Sequence, residues 1–471
     1  MPVTLNAPFS WKAASAPDLA MLKALQPNIL KGHTREFLTV LFVRFDDPAV
    51  ARAALKTIAK TLMKSALAHL QEVEAFHAQG TPGTSYVGVG LTDKGYDFLG
   101  VAAAKTPKDP SFKLGMQNAS LDDSKPSTWD AAFQQVIHAI ILVGDQLPAP
   151  RDAMLSKVMA LLTPAAKFHV SAQEGHGLHN RNGDGIEHFG YVDGRSQPIF
   201  LTEDVQDELL RQDGATNWDP KFGPGRAIVP DPTGADPLSQ FGSYFVYRKL
   251  EQNVRQFKQE ESKLAKRLGL TGDDAERAGA MIVGRFEDGT PLAIQASAGS
   301  HSPVQNDFNY DSDGEGGKCP FFAHIRKVNP RSSGGFESPA GERLHIMARR
   351  GQTYGVRTDD PDDGKIKNKP TKDVGLLFMA FNADIGQQFE FAQKSWADFA
   401  GFPKVPAGRA APGLDMVIGQ GKRPDIDCPK EWGADFAVAA QHKVVTPVPQ
   451  AVTMKGGEYF FMPSLPTLAA L

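Results

Sequence analysis

The chain has 471 residues, and 51 Lys and Arg against 54 Asp and Glu give a formal net charge of −3. A charge so close to zero argues against a nucleic-acid-binding protein, which carries a basic excess or a basic stripe. Two cysteines, Cys319 and Cys428, exclude a disulfide scaffold and a four-cysteine zinc site, and 41% hydrophobic with 22% charged residues is typical of a folded chain with a sizeable core.

No secretory leader is predicted, because the N-terminus lacks a basic start and an apolar stretch. The most apolar segment, Val136–Val143, is far shorter than the about 20 residues that cross a bilayer. We therefore expect a cytoplasmic protein with no membrane and no nucleic-acid partner, with export by another route left open.

Strands and helices interleave in the first half of the chain. The β-branched and aromatic run Arg35–Asp47 predicts a strand, and the Ala-rich run Pro48–Met63 predicts a helix. The elements predicted after these are strands at Thr84–Leu91 and Ala131–Val143, a helix at Pro150–Leu162 and a strand at Lys167–Gln173.

The second half repeats this mixture. Its predicted strands are Gly242–Arg248, Arg343–Ala348, Val374–Phe381 and Glu458–Met462, and its predicted helices are Gln252–Leu268 and Gly386–Trp396. Each half therefore indicates an α+β unit, not the strict alternation of a parallel doubly wound sheet. The Pro- and Gly-rich stretch at 219–240 predicts a linker between domains at 1–218 and 241–471.

The segment Gly183–Gly194 (GDGIEHFGYVDG) is rich in groups that can hold a cation or a proton. The donors in and just before it are His176, His179, Asp184, Glu187, His188 and Asp193. Imidazoles and carboxylates in such a run could bind a divalent metal. The glycine-rich spacing matches neither HExxH nor an EF-hand, and it favours a polar turn whose carboxylates cap backbone N–H groups.

The segment Cys319–Arg331 (CPFFAHIRKVNPR) places His324 beside three apolar side chains. A histidine in this setting is either an ordinary core residue or, because a neutral imidazole against an apolar wall suits iron, an axial haem ligand. The basic residues that could pair with haem propionates are Arg326, Lys327 and Arg331.

The segment His345–Gly355 (HIMARRGQTYG) ends a β-like stretch with two arginines and a glycine. A guanidinium stays charged at any relevant pH and can stabilise negative charge that develops in a pocket. From these residues alone, an ordinary surface ion pair explains Arg349 and Arg350 at least as well.

Together, the three segments resemble the dye-decolorizing peroxidases, haem enzymes with a duplicated ferredoxin-like fold. The GxxDG signature of that family is present as Gly190–Gly194, its proximal-histidine stretch surrounds His324, and its distal-arginine stretch begins at Arg349. Further similar segments, in chain order, are Asn28–Gly32, Val283–Pro291, Gly375–Phe378, Phe389–Trp396 and Gly413–Gly419. GxxDG alone is unspecific, but the ordered set is highly specific and spans nearly the whole chain.

The resemblance implies two ferredoxin-like α+β domains, with antiparallel sheets and peripheral helices. One non-covalent haem b per chain would be held mainly by the C-terminal domain, with His324 on the iron and with Arg326 and Arg331 near the propionates. A ligating histidine normally donates its other N–H to an acceptor that raises its basicity. Asp415 is the expected acceptor, with Glu390 as the alternative.

On the opposite face of the haem, the resemblance implies Asp193 as the acid/base that moves a proton of hydrogen peroxide to the leaving oxygen. Arg349 would stabilise the charge that develops there. Leu376 and Phe378 match positions that restrict access to small molecules such as peroxide. A carboxylate in this role implies activity favoured at acidic pH.

Bulky dyes cannot enter such a pocket, and members of the family pass electrons through surface Trp or Tyr side chains. Tyr354 and Trp396 match such relay positions, although plain packing explains both equally. Two long loops could bind Mn²⁺ through carboxylates or simply be solvated, and their acidic residues are Asp307, Asp311, Asp313, Asp359, Asp360, Asp362 and Asp363.

We therefore predict a haem peroxidase that uses hydrogen peroxide to oxidise dyes, phenolics or lignin-like aromatics by one-electron steps. One alternative is a haem-binding or haem-handling protein without significant turnover, in which Asp193 and Arg349 have no obligatory role. A second alternative is a haem-free ferredoxin-like protein whose residues 176–193 hold a divalent metal.

Overall fold

A computed structural model of the chain describes residues 2–33, 35–163, 168–212, 214–299, 304–361, 363–429 and 441–471. Two residues named above, Lys167 and Asp362, lie outside these ranges. The described strands form one ten-stranded antiparallel sheet and a separate two-stranded sheet.

The first half of the chain builds one end of the large sheet. Its strands are β1 (Phe37–Phe45), β2 (Tyr86–Leu91), β3 (Ala139–Asp145) and β4 (Phe168–His176), in the order β4-β1-β3-β2. Every residue of β2 and β3 is buried, as expected for short, continuous apolar runs in the middle of a sheet. Leu41 of β1 lies opposite Ile141 of β3 and Ala172 of β4, which sets the register of this end.

Helices cover this end of the sheet, and local sequence determines where they begin. In α2 (Pro48–Thr61), the Asp47 side chain accepts hydrogen bonds from the N–H groups of Ala49 and Val50 at 2.9 and 3.1 Å, and Pro48 takes the first helical position. The other helices of this half are α1 (Ala16–Ala24), α3 (Ala66–Gln79), α4 (Asp93–Phe98), α5 (Pro110–Leu114), α6 (Pro148–Leu162) and α7 (Thr202–Arg211).

The second half builds the other end of the sheet. Its main strands are β6 (Phe241–Gln252), β7 (Ala348–Arg349), β9 (Gly375–Asn382) and β12 (Val452–Met462), in the order β12-β6-β9-β7. The short strands β5 (Val229–Pro230) and β8 (Gln352–Tyr354) pair with β6 and β9, while β10 (Ile426–Pro429) and β11 (His442–Val445) form the separate sheet. The helices are α8 (Val254–Leu268), α9 (Glu276–Val283), α10 (His324–Val328), α11 (Pro339–Glu342) and α12 (Leu465–Ala470).

The two halves repeat one strand order. In β4-β1-β3-β2 and in β12-β6-β9-β7, the last strand lies beside the first, as in ferredoxin-like units. The pairing of Phe461 in β12 with Leu91 in β2 joins the two sets. The predicted α+β class with antiparallel sheets and surrounding helices is confirmed, while the boundaries 1–218, 219–240 and 241–471 stay predictions.

The N-terminal part of the predicted strand Ala131–Val143 is a 3₁₀ turn at Ala131–Gln134, and the strand begins only at Ala139. A continuous apolar run does not mark where strand pairing begins, which explains the error. The predicted strand Arg343–Ala348 is mostly a second 3₁₀ turn, Arg343–His345, before the short β7.

The predicted helix Gly386–Trp396 is helical but wide, with π-helical turns at Gly386–Glu390 and Ala392–Ala397. Such turns are rare and occur frequently at functional sites. None of the described helices is both long and apolar enough to cross a membrane.

Candidate functional site

A cavity of about 820 Å³ takes its walls from both halves of the chain. This volume lies within the range of roughly 300–1,000 Å³ that is typical of sites for small molecules and cofactors. The lining comes from the segment before β1, the loop after β4, strands β6, β7 and β9, helix α10 and the chain after the π-helical turns. All three segments singled out from the sequence contribute to these walls.

His324 opens helix α10 and faces the cavity. Its Nδ1 lies 2.8 Å from Oδ2 of Asp415, whereas its Nε2 makes no hydrogen bond with any residue that the structure describes. Burial lowers the pKa of His324, but the charge and the hydrogen bond of Asp415 raise it by more. The imidazole is thus fixed through one nitrogen and presents the other to the cavity.

Asp415 is fully buried and is held on both of its oxygens. Oδ1 accepts hydrogen bonds from the backbone N–H of Val417 at 2.8 Å and of Ile418 at 2.9 Å, which leaves Oδ2 for His324. The predicted contact of Asp415 with His324 is therefore present. The alternative, Glu390, instead accepts a hydrogen bond from the hydroxyl of Tyr459 at 2.9 Å.

Asp193 and Arg349 line the same cavity, with Oδ1 of Asp193 3.7 Å from Nη1 of Arg349. The guanidinium of Arg349 donates to the backbone carbonyl of Arg195 at 2.8 Å, and its backbone N–H donates to the side chain of Gln197 at 3.0 Å. Both charges act on the pKa of His324, Arg349 lowering it and Asp193 raising it. The three groups therefore belong to one electrostatic site.

The loop that carries Asp193 is shaped by glycines and by one carboxylate. Gly190 and Gly194 have φ values of 105° and 83°, in the left-handed region that favours glycine. Glu187 accepts hydrogen bonds from the backbone N–H of Phe189 and of Tyr191 at 2.9 and 3.0 Å. These bonds close the turn that precedes Asp193.

Glu187 also lines the cavity and accepts a hydrogen bond from the side chain of Gln252. Burial raises its pKa to about 7, against the hydrogen bonds that lower it. From the sequence, Glu187 was identified only as one of several donors in this run. Its position three residues before the GxxDG signature is the signal that could have indicated its role in shaping this loop.

Leu376 and Phe378 lie on one face of β9 and line the cavity, as predicted from the resemblance. Their alternation follows the two-residue period of a strand, while Leu377 and Met379 between and after them are buried in the core. The ring of Phe378 lies 5.8 Å from that of Phe389, which also faces the cavity.

The prediction that Arg326 faces a propionate is wrong. Its side chain is fully buried away from the cavity, where it donates to Oδ2 of Asp313 at 2.8 Å and to the backbone carbonyl of Cys319. The side chain also packs between the rings of Tyr310 and Phe321. Arg326 holds the segment before α10 together.

Arg331 does line the cavity, but its guanidinium is largely committed to the protein. It donates to the backbone carbonyls of Asn306 and Phe308 at 2.7 and 2.5 Å and to the side chains of Ser196 and Asn306. Its Nε is buried without a hydrogen-bond partner among the described residues. Its propionate role stays a prediction.

Like Arg326, Lys327 does not face the cavity. Its ammonium donates to the backbone carbonyls of Phe399 at 3.1 Å, Phe402 and Gly413 at 2.8 Å. These bonds anchor the chain that leads to Asp415, two residues after Gly413. Lys327 therefore positions the acceptor of His324, a role that its place in the sequence does not indicate.

Both predicted relay residues are buried. Tyr354 is 4% exposed, lies under the ammonium of Lys249 and borders a second cavity of about 360 Å³. Trp396 is 1% exposed and stacks on Phe402 with ring centroids 5.5 Å apart. Neither side chain is a surface group in this structure, and the relay role of each stays a prediction.

The donors at residues 176–193 do not gather around a common point. Nε2 of His179 contacts Glu36 at 2.8 Å, and Nε2 of His188 contacts the backbone carbonyl of Tyr354 at 2.8 Å. Within the described part of the chain, these donors form no cluster with metal-binding spacing. The structure therefore gives no support to the haem-free alternative with a metal at 176–193.

Three carboxylates of the acidic loops make hydrogen bonds or ion pairs within the protein. The carboxylate of Asp307 accepts backbone hydrogen bonds from residues 216–218, and those of Asp313 and Asp359 pair with Arg326 and Arg357. Over the described ranges, these residues make no cluster that could hold a cation.

Comparisons with known proteins show that the chain is similar to dye peroxidases in sequence and in structure. Residues 24–176 match a family model described as the DyP dimeric alpha+beta barrel domain. The chain is 56% identical over 474 residues to the multifunctional dye peroxidase DyP2 of Amycolatopsis sp., with 100% of both chains covered. The solved structure of DyP2 has a TM-score of 0.95 at 55% identity, again over 100% of both chains.

Two further solved structures are similar. A DyP-type peroxidase of Anabaena sp. has a TM-score of 0.89 at 34% identity, covering 98% of this chain and 96% of that one. A dye-decolorizing peroxidase in complex with 2,6-dimethoxyphenol has a TM-score of 0.74 at 25% identity, covering 95% of this chain and 98% of that one.

Proposed function

The chain belongs to the dye-decolorizing peroxidase family and is a peroxidase that acts on dyes, and we propose that the reaction takes place in the cavity lined by His324, Asp193 and Arg349. The observation that carries this proposal is the joint placement of two pairs around one cavity. His324 and Asp415 leave a nitrogen lone pair facing the cavity, while Asp193 and Arg349 supply a carboxylate and a fixed positive charge.

The family implies a haem cofactor, and the residues of the cavity fit one non-covalent haem b. The volume is sufficient for a cofactor, no described residue competes for Nε2 of His324, and apolar side chains such as Leu376, Phe378 and Phe389 line the walls. Bound through this nitrogen, the haem iron would supply the site for peroxide and the redox chemistry of the reaction. The residues named here all lie in 241–471, which supports a haem held mainly by the C-terminal half.

The contact between His324 and Asp415 keeps the His324 imidazole in the state that iron binding needs. Oδ2 of Asp415 accepts a hydrogen bond from the Nδ1–H of His324, so Nε2 carries the lone pair. The negative charge of Asp415 raises the basicity of the imidazole, as carboxylates do beside ligating histidines. The three hydrogen bonds accepted by Asp415 hold both partners in this orientation.

In the haem-loaded protein, a carboxylate oxygen of Asp193 would take a proton from hydrogen peroxide and return it to the distal oxygen, so that this oxygen could leave as water while the haem supplied the two electrons. A positioned group of this kind accelerates proton transfer by about 10²–10⁴-fold. The loop supports this role because the backbone N–H of Asp193 donates to the carbonyl of Gly185 at 3.0 Å, while its side chain lines the cavity and stays 38% exposed.

Arg349 stabilises the negative charge that develops on the distal oxygen. Its guanidinium is positioned before the reaction by Arg195 and by its 3.7 Å contact with Asp193. A charge already in position need not reorganise as the bond breaks, which makes such stabilisation effective.

Dyes, phenolics and lignin-like aromatics are the reductants that we propose. The relative solved with 2,6-dimethoxyphenol supports a phenolic reductant. Because Leu376 and Phe378 narrow the cavity, we infer that larger reductants donate electrons from outside it, with Tyr354 and Trp396 as the candidate relays.

The test compares Asp193→Asn and Arg349→Leu with the wild type after loading with haem. We expect both variants to keep the Soret band, and the peroxide-dependent change of this band to slow by at least about 10²-fold, because each variant lacks one of the two groups. Asp184→Asn removes a carboxylate from the same loop at a position that does not line the cavity, and it should leave the rate unchanged.

A wild-type rate in both site variants would contradict the roles given to Asp193 and Arg349. The haem-handling alternative makes a different prediction, namely a Soret band that does not respond to peroxide in the wild type. Dye oxidation by the wild type, measured in parallel, shows whether the protein turns over, and the two variants then show whether Asp193 and Arg349 carry the reaction.

A further inference from the structure

A second group of metal-ligand side chains takes no part in the contacts used above, although one of its members, His33, also lines the main cavity. Within the described ranges, His33, His69 and Glu72 are the three residues whose possible ligand atoms come within 4.8 Å of one another. His69 and Glu72 are three positions apart in α3 and share one face of that helix. His33 comes from the segment before β1, and its ring stacks on that of His69 with centroids 4.9 Å apart.

His69 is the most informative member of this group. Its side chain is 3% exposed, and its ring is hydrogen-bonded to the backbone of Gly32. Its Nε2 is buried and has no hydrogen-bond partner among the described residues. A buried polar atom without a partner is rare and destabilising, and a histidine held through one nitrogen with the other free is the usual state of a metal ligand.

Glu72 is oriented by its neighbours in the manner of a ligating carboxylate. Oε1 accepts a hydrogen bond from the hydroxyl of Thr84 at 2.6 Å, and Oε2 accepts one from the backbone N–H of Thr84 at 3.2 Å. The ammonium of Lys64 also contacts Oε2 and so occupies the place of a cation beside this carboxylate.

We propose that His33, His69 and Glu72 bind one divalent transition-metal ion of the class that prefers imidazole, such as Zn²⁺, Co²⁺ or Cu²⁺, at the edge of the main cavity, where His33 lines the wall and His324 takes no part. Two imidazoles and one carboxylate are a common ligand set for these ions, whereas Mg²⁺, Ca²⁺ and Mn²⁺ prefer oxygen ligands. The ion satisfies the buried Nε2 of His69. This proposal does not depend on the peroxidase mechanism.

Binding requires a small closure of the site. Donor atoms around a tetrahedral Zn²⁺ with bonds of about 2.1 Å are about 3.4 Å apart, so the side chains must move inward from separations of up to 4.8 Å. The ammonium of Lys64, which contacts Oε2 of Glu72, repels a cation bound at this site. Lys64 is therefore a competitor of the metal, and its removal should strengthen binding.

The experiment uses the haem-loaded protein, freed of other metals with a chelator, and titrates it with Zn²⁺ by calorimetry. We expect one Zn²⁺ per chain, binding weakened about tenfold or more in His33→Ala and in Glu72→Gln, and tighter binding in Lys64→Met. His77→Ala removes an exposed histidine from the same helix and should leave the affinity unchanged. The Soret band, recorded in each titration, reports that the haem site is intact.

The variants separate this site from adventitious binding. An affinity unchanged by both His33→Ala and Glu72→Gln, or lowered equally by His77→Ala, would overturn the proposal. Because His33 and Glu72 are only partly buried, their variants decide the outcome even if substitution of the buried His69 prevents folding.

Discussion

The hydrogen bond between Asp415 and His324 allows a sharp prediction for Asp415→Asn. The Oδ1 position accepts hydrogen bonds from the N–H groups of Val417 and Ile418 at 2.8 and 2.9 Å, so the amide nitrogen of an asparagine cannot occupy it. The amide NH₂ must therefore face Nδ1 of His324. Since an amide N–H is a donor only, Nδ1 becomes the acceptor and the ring proton moves to Nε2.

The expected changes in haem affinity and in the free energy of unfolding follow from replacing the Asp415 carboxylate. Replacing a partner that orients a metal-ligating histidine typically lowers affinity by about 10–100-fold, which corresponds to about 1.4–2.7 kcal/mol. The hydrogen bond to a charged carboxylate, 2.8 Å long and fully buried on the Asp415 side, is also replaced by one to a neutral amide, which lowers the free energy of unfolding by about 1 kcal/mol. Asp415→Asn should therefore bind haem more weakly and unfold more easily.

The assay titrates the haem-free variant with haem, following the Soret band, and measures urea unfolding of the same preparation. Asp398→Asn is the matched control, because Asp398 is a neighbouring carboxylate that bonds Gln393 and Gln420 and does not contact His324. We expect the control to lose stability but to keep its haem affinity. Haem affinity within about twofold of wild type in Asp415→Asn would refute the tautomer argument, since the smallest expected loss is about tenfold.

Three further predictions follow from other contacts. Arg326→Met should lower the free energy of unfolding by about 3–5 kcal/mol, because it leaves Asp313 buried without its cation, yet haem affinity measured by titration should stay unchanged; a specific loss of haem affinity would restore the propionate role. Burial raises the pKa of Glu187 from its ordinary 4.5 to about 7. Between these two pH values the folded protein holds a proton that the unfolded chain has released, so the free energy of unfolding should fall as the pH rises from 4.5 to about 7. Urea unfolding at several pH values should show this fall flattened in Glu187→Gln, and an identical pH dependence in both proteins would contradict the assignment. Trp396→Ala should cost about 3–5 kcal/mol in thermal unfolding, since the ring is fully buried against Phe402, and a loss below about 1 kcal/mol would indicate that the ring packs loosely.

Much of the site was predictable because its chemistry lies in contiguous segments. Asp193, His324 and Arg349 each stand in a short motif with its own local conformation, such as the glycines that turn the chain around Asp193. The strand Val374–Phe381 was placed within one residue at each end, because its apolar run coincides with the paired strand β9. Local pattern and tertiary structure agree at these positions.

Other features were decided only by the tertiary structure. Arg326 and Arg331 are equivalent as residue types five positions apart, but only Arg331 lines the cavity, because the buried Asp313 pairs with Arg326 on the far side. Lys327 was grouped with them, although its three carbonyl partners lie 72–86 residues away in the chain. Side-chain direction depends on such distant partners, and no local pattern encodes them.

By itself, then, the sequence indicated the α+β architecture through its periodicity, and its contiguous motifs indicated the chemistry of the main cavity through their resemblance to one family, because periodicity and motifs are properties of neighbouring residues. The meeting of His33 with His69 and Glu72, the bonds that direct Asp415 at His324, and the burial of Tyr354 and Trp396 arise only when the folded chain brings separate segments into contact. The physical reason is that a hydrogen bond, an ion pair or a metal site depends on distances in space, and distance along the chain does not specify them.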